Sequence, residues 1–236
     1  MSEERQTVDF YETNSHMYDS SRFQDRKGLQ IDSVQQAIVN ELCGDVESKK
    51  VLELAVGTGR FTKTMVSRGA DLVGIDSSIS MLRITRKKSS TTISAITPSL
   101  IRADAAKLPF KDNVFDYILC INAVNHMPKY TDAIAESSRV LKSNGSFVFN
   151  FPCTASVLLP FALLVNVRAK SVVRPVFSKW YSPKQVFTTL FRNKLNIEAV
   201  EGHIPVGFAQ FVIDKIVRNS PLRFLSGVLF IKAKKL

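Results

Sequence analysis

The chain is poor in the residues that would mark a metal centre or a disulfide framework. Its 236 residues include three cysteines and three histidines. Cys43, Cys120 and Cys153 are scattered, show no metal-ligand spacing, and two of them lie in apolar runs, as core thiols of a reducing compartment do. Neither a metal nor a disulfide is expected. The opening MSEERQTVDFYETNS is polar and acidic where a secretory signal needs a basic start and an apolar stretch, so a cytoplasmic protein is expected. Internal repeats and low-complexity tracts are absent.

Long hydrophobic runs are scarce too. Between Lys142 and Arg168 there is no charged residue for 25 positions, enough in length alone for a membrane span. Asn144-Gly145 reads as a turn, Ser146 to Phe151 as a strand, and Pro152 and Pro160 interrupt the rest. What remains, Ala155 to Val167, is too short to cross a bilayer. Acidic residues run out in the last third: residues 1–150 hold 19 basic against 18 acidic side chains, a net of +1, and 151–236 hold 13 against 3, a net of +10. Such a field favours an anionic substrate, a phospholipid surface or nucleic acid, and solvated lysines serving solubility are the plain alternative.

What is present centres on Val51-Leu-Glu-Leu-Ala-Val-Gly-Thr-Gly-Arg-Phe61. An apolar run ends in a glycine turn and passes into Phe61, Met65 and Val66 at helical spacing, which predicts strand, tight turn and helix. Gly57 and Gly59 are where a ligand would meet backbone most closely, facing the N–H groups that open the helix. Glu53 places a carboxylate beside that turn. A second strand, Leu72 to Ile75, ends in Asp76, at the separation expected of an acid that binds ribose hydroxyls. A third, Leu100 to Arg102, is followed by Asp104. The third glycine of the dinucleotide fingerprint is missing, with Thr62 in its place.

These residues resemble the class I S-adenosylmethionine-dependent methyltransferases, especially the small-molecule branch that includes the ubiquinone and menaquinone methyltransferases. The resemblance runs in family order through VLELAVGTGRF, VGIDSSISML, RADAAKLPFKDNVFDYILCINAVNHM and RVLKSNGSFVF, over about residues 50–150. Ala55 departs from it, since glycine is usual there. The resemblance implies an α/β fold: a Rossmann-like seven-stranded sheet with helices on both faces and strand seven antiparallel. It also implies S-adenosylmethionine as cofactor, with Tyr18, Glu53, Ala55, Gly57, Gly59, Asp76, Ser77, Met81, Asp104, Ala105 and Ile121 around it. Asp104 would accept from the adenine amino group and Ala105 would meet the ring. Met81 would pack on the adenine or serve simply as core, and Tyr18 would help an N-terminal lid close the site.

In chain order, residues 1–48 give the lid and a helix patterned by Ile31, Val34, Ala37, Ile38 and Leu42 and closed by Gly44; residues 49–151 form the cofactor-binding core of a single domain. Phe115 to Ile121 reads as an interior parallel strand, with Asp116 structural at its start. Its far end opens into Asn122, Asn125 and His126, placed to meet the methyl acceptor because ligands bind at carboxyl ends of such strands. His126 is a candidate general base or a partner for a loop carbonyl. Residues 152–181 and 202–227 read as substrate-side insertions forming an apolar and basic roof, and Ser182-Pro183 as a helix start. The expected activity is methyl transfer to a small, apolar or lipid-like acceptor, with peripheral membrane contact through the basic third. A tRNA or RNA methyltransferase is the alternative within enzymes, although no Asn/Asp-Pro-Pro-aromatic signature stands at 122–125. A cofactor-binding but inactive partner subunit is the alternative outside them.

Overall fold

The interior of the sheet is built on short, largely apolar runs, residues 50–54, 71–76 and 115–120, whose backbone groups pair across it. The computed structural model describes residues 2–90, 97–156, 177–203 and 221–236. Strands β1 (Lys50–Leu54), β2 (Asp71–Asp76), β3 (Ser99–Arg102), β4 (Phe115–Cys120), β5 (Leu141–Pro152), β6 (Leu195–His203) and β7 (Val228–Lys235) form one sheet in the order β3-β2-β1-β4-β5-β7-β6. The first five run parallel, and β7 is antiparallel to both β5 and β6. That is the sheet the sequence led us to expect.

The helices are α1 (Glu3–Asn14), α2 (Tyr18–Phe23), α3 (Arg26–Cys43), α4 (Arg60–Ser67), α5 (Ile79–Ser89), α6 (Tyr130–Val140) and α7 (Pro183–Arg192). Strand alternation sends Leu52, Leu54, Ile118, Phe147 and Phe149 to a core on one face of the sheet. Val51, Leu119 and Val148 face the other, where they meet Ile38, Val39, Phe61 and Met65 from α3 and α4. Ser182 caps α7 through a capping box with Gln185 and Pro183 in the first turn, as its sequence predicts.

Two features differ from the sequence pattern. Helix α1 is a regular helix that no apolar periodicity announces, because its only buried residue is Thr7. The turn at Asn144-Gly145 lies inside β5: Phe115 pairs with Leu141 and Tyr117 with Ser146, so the extra residues form a bulge, with Asn144 at φ 64°. Asp116 is structural, accepting from the Lys50 N–H at 2.9 Å and the Lys142 ammonium at 2.8 Å, and these bonds hold its carboxyl below the usual range despite partial burial. No helix among the described residues is long and apolar enough to cross a membrane. The roof expected over 152–181 and 202–227 lies largely outside the described residues.

Candidate cofactor and acceptor site

Three left-handed residues within five make the turn that follows β1: Ala55 at φ 53°, Gly57 at φ 56° and Gly59 at φ 81°. The turn is pinned by Val56 N–H to the Ile75 carbonyl at 3.0 Å and by Thr85 Oγ1 to the Gly57 carbonyl at 2.8 Å. A side chain at Gly57 would enter open space, so this backbone is free for a ligand to approach. Gly59 has a different task. A Cβ there would sit 2.9 Å from Thr85 Cγ2, so its missing side chain lets the turn pack on α5.

Two acids border the turn, and both are buried. Glu53, 4% exposed, emerges on the α4 side, where Thr62 Oγ1 donates to it at 2.6 Å. Burial outweighs that bond and pushes the carboxyl up to about 8. Asp76, 8% exposed, accepts from the Gly57 N–H and the Ser78 N–H, each at 2.9 Å. Burial raises it as well, although these N–H groups oppose the shift. Two carboxyls held out of water, with no cation bonded to either among the described residues, suit a ligand that brings positive charge.

The hollow above them has three adjoining parts of about 110, 130 and 360 Å³. The first is bordered by Asp76, Ser77, Asp104 and Ala105. Asp104 is exposed and turned into its loop, accepting from the Ala106 N–H at 2.8 Å. The second collects Tyr18, Glu53, Ala55, Gly57, Asp76, Ser77, Met81 and Ile121. Met81 is both core and wall. The third is the largest and lies beyond Asn122 and His126, which border the second as well. Of the residues expected around a cofactor, only Gly59 borders none of the three.

His126 is held at both ring nitrogens. Nδ1 lies 2.8 Å from the Phe177 carbonyl, which can only accept, so Nδ1 carries the proton. Nε2 is then the acceptor for the Asn125 amide at 3.0 Å. Burial lowers the pKa of the ring, and the neutral tautomer is fixed. Bonding to a loop carbonyl, one of the two roles open from the sequence, is thus present.

The N-terminal helices lie over this hollow. Glu12 of α1 accepts from Ser78 Oγ at 2.6 Å and Ser80 Oγ at 2.8 Å at the start of α5. Tyr11 reaches the second hollow, its ring 6.1 Å from Tyr18 and 5.9 Å from His126, and burial raises its hydroxyl well above the usual phenol range. Asp19 is bonded to Thr58 Oγ1 at 2.6 Å and paired with Lys88. Sequence reasoning passed over Gln35, Arg60 and Asn150, which join Asn122 in one network. Gln35 Oε1 accepts from Arg60 at 3.0 Å and from Asn122 at 2.9 Å, and Asn122 exchanges two bonds with Asn150. A polar residue within the apolar stripe Ile31, Ile38, Leu42 was the available sign of Gln35.

Comparison with known proteins agrees with this architecture. Residues 52–149 match the methyltransferase domain family. Demethylmenaquinone methyltransferase of Staphylococcus aureus strain MRSA252 is 31% identical over 158 residues, 64% of this chain and 63% of that protein. The match thus spans less than two thirds of the relative. Among solved structures, magnesium protoporphyrin IX methyltransferase from Synechocystis PCC 6803 with bound S-adenosylmethionine superposes with a TM-score of 0.71 at 12% identity, covering 100% of this chain and 98% of that one. The cyclase SpnF reaches the same TM-score of 0.71 at 16% identity, covering 97% and 94%. Residues 52–149 thus match a methyltransferase domain, and the sheet shares the fold of a methyltransferase solved with bound S-adenosylmethionine.

Proposed function

We propose that the protein transfers a methyl group from S-adenosylmethionine to a small organic acceptor that is largely apolar. The observation that carries this is the pair of buried acids, Glu53 and Asp76, at the glycine turn, with a larger hollow opening directly beyond them at Asn122 and His126. Among the described residues lining the second hollow, Glu53 and Asp76 are the acids, and they would meet the cofactor's cationic groups. The Gly57 backbone gives the close approach, and Asp104 and Ala105 border the part assigned to the adenine.

The cofactor supplies an activated methyl group and its own leaving group. The chain therefore has to position the acceptor and keep water out, and positioning of this kind lowers a barrier by several kcal/mol. Phe23, Ile31 and Val228 give the third hollow its apolar walls. His126 holds a proton on Nδ1 and receives one at Nε2, so it does not stand ready as a base. An acceptor that ionises readily, or whose proton leaves after transfer, suits such a site.

SpnF shares the fold, so the sheet does not dictate the reaction. Calorimetric titration with S-adenosylmethionine and with S-adenosylhomocysteine tests binding. Transfer of labelled methyl into a cell extract separated into lipid, small-molecule, RNA and protein fractions tests turnover. Label in the lipid or small-molecule fraction is expected; label in RNA alone, or in none despite tight binding, would overturn the proposal.

A further inference from the structure

The outer face of α5 carries charge of one sign. Residues 77–103 hold five cations and no acid. Within α5, Met81, Leu82 and Thr85 are buried, while Ile79, Arg83 and Arg86 follow one another at four and three residues, the spacing that sets side chains in one row along a helix. All three are exposed, as is Lys87 beside them. Lys88 turns to the flank and pairs with Asp19. Among the described residues, no carboxylate pairs with Arg83, Arg86 or Lys87.

Neighbouring elements extend this row. The N-terminal segment lies along α5, with Glu12 bonded to Ser80 near its start and Asp19 paired with Lys88 near its end, and between these contacts in sequence Met17 is 50% exposed. Helix α5 also packs on β3, an edge strand, whose Arg102 is exposed and donates through Nε to the Ser77 carbonyl at 3.0 Å. The acids of the N-terminal helices that reach α5 are already engaged, Glu12 by Ser78 and Ser80 and Asp19 by Thr58 and Lys88. A positive field confined to one helix face is invisible in the near-neutral balance of residues 1–150.

Cations in a row without carboxylate partners, edged by exposed apolar side chains, fit an anionic surface into which those side chains can dip. RNA asks for something else, since unpaired bases stack on exposed aromatic rings. Among the described residues the only exposed Phe, Tyr or Trp is Phe191 on α7, which packs on β6 at the opposite edge of the sheet. We propose that α5 and the adjoining sheet edge dock on an anionic phospholipid membrane. Arg83, Arg86, Lys87 and Arg102 meet the phosphate headgroups, and Met17 and Ile79 enter the boundary beneath them. The proposal rests on methyl transfer only for what docking is for: Ser77, just before α5, borders the first and second hollows, so a docked chain holds its site beside the lipid from which an apolar acceptor would come.

The test sediments the full chain with vesicles of phosphatidylglycerol mixed equally with phosphatidylcholine, and with vesicles of phosphatidylcholine alone. Wild type should bind the first, lose that binding as salt is raised, and largely ignore the second. Each cation beside an anionic membrane is worth about fivefold in partitioning, so Arg83→Gln/Arg86→Gln/Lys87→Gln should bind about a hundredfold more weakly. A control that removes equal charge at the opposite edge of the sheet, Lys184→Gln/Arg192→Gln/Lys194→Gln, should bind nearly as wild type does. Met17→Ser/Ile79→Ser should weaken binding severalfold with the charge unchanged. All these positions are exposed, and an unchanged melting curve by circular dichroism shows that each variant folds. Absence of binding to either vesicle by wild type, equal losses in the two triple variants, or retention of RNA without retention of anionic vesicles would overturn the proposal. Failure of wild type to bind S-adenosylhomocysteine would instead count against methyl transfer, since the vesicle measurements stand without it.

Discussion

Thr58, in the turn after β1, donates its hydroxyl to Asp19 of α2 at 2.6 Å, and the same carboxylate pairs with Lys88 at the end of α5. One side chain thus ties the N-terminal helices to two elements that border the cofactor part of the hollow. Asp19→Ala should release this tie while leaving the sheet intact. Asp19 and Lys88 are about a third and two fifths exposed, so solvent screens the pair, and a loss of about 1 kcal/mol is expected in cofactor affinity. Stopped-flow release of S-adenosylhomocysteine should quicken by the same factor, with an unchanged thermal midpoint. An unaltered release rate would show that α2 does not govern exit.

Glu53 should make both stability and binding depend on pH. Its carboxyl is raised from 4.5 to about 8 in the folded chain. Between these values the folded state holds a proton that the unfolded state has lost. Stability from this group is therefore complete below pH 4.5 and falls as pH rises towards 8, by up to about 1.4 kcal/mol per unit. Glu53→Gln should flatten that decline and raise stability at pH 8. A cationic ligand favours the ionised carboxylate, so wild type should release a proton on binding at pH 7. Calorimetry in buffers of different ionisation enthalpy detects that proton. Its absence, or full affinity in Glu53→Gln, would remove Glu53 from the cofactor's neighbours.

Ala55 holds a conformation that suits glycine, with φ 53°, and its methyl group borders both smaller parts of the hollow. Ala55→Gly should release about 1–2 kcal/mol of backbone strain, offset by about 0.4–1 kcal/mol of extra freedom in the unfolded chain. A net gain in the denaturation midpoint is expected. Gly59→Ala, at φ 81° and with its new Cβ 2.9 Å from Thr85, should lose stability instead. If the two changes had the same sign, the strain assigned to position 55 would be wrong.

The parts of this site that sequence could reveal are those that strand order dictates. Glu53 lies one residue before the end of an apolar run, Asp76 ends one and Asp104 follows one, and a parallel sheet brings such ends to one edge. The departure at Ala55 was visible, although its cost became clear only with its dihedral. Helix α1 left no apolar pattern because it meets the site through Thr7, the Tyr11 ring and the polar contacts of Glu12 with Ser78 and Ser80, while the rest of the helix is more open to solvent. Gln35 was hidden for another reason. Its amide is oriented by Arg60 and Asn122, 25 and 87 residues away, and no local spacing reports such a contact.

His126 offers the last contrast, between a base and a positioning residue. Its Nδ1–H goes to the Phe177 carbonyl and its Nε2 accepts from Asn125, so the ring joins the residues after β4 to the segment leading into α7. Burial depresses its pKa below 6.5. The unfolded chain therefore takes up the proton first, and the ring's contribution to stability is present above pH 6.5 and lost as pH falls below it. His126→Asn keeps an N–H donor for Phe177 and cannot act as a base. With methyl transfer as the readout, the variant should raise KM for the acceptor more than it lowers kcat, and the pH profile should keep its shape. A drop in kcat of about 10²–10⁴ with loss of the ascending limb would mark His126 as the general base after all.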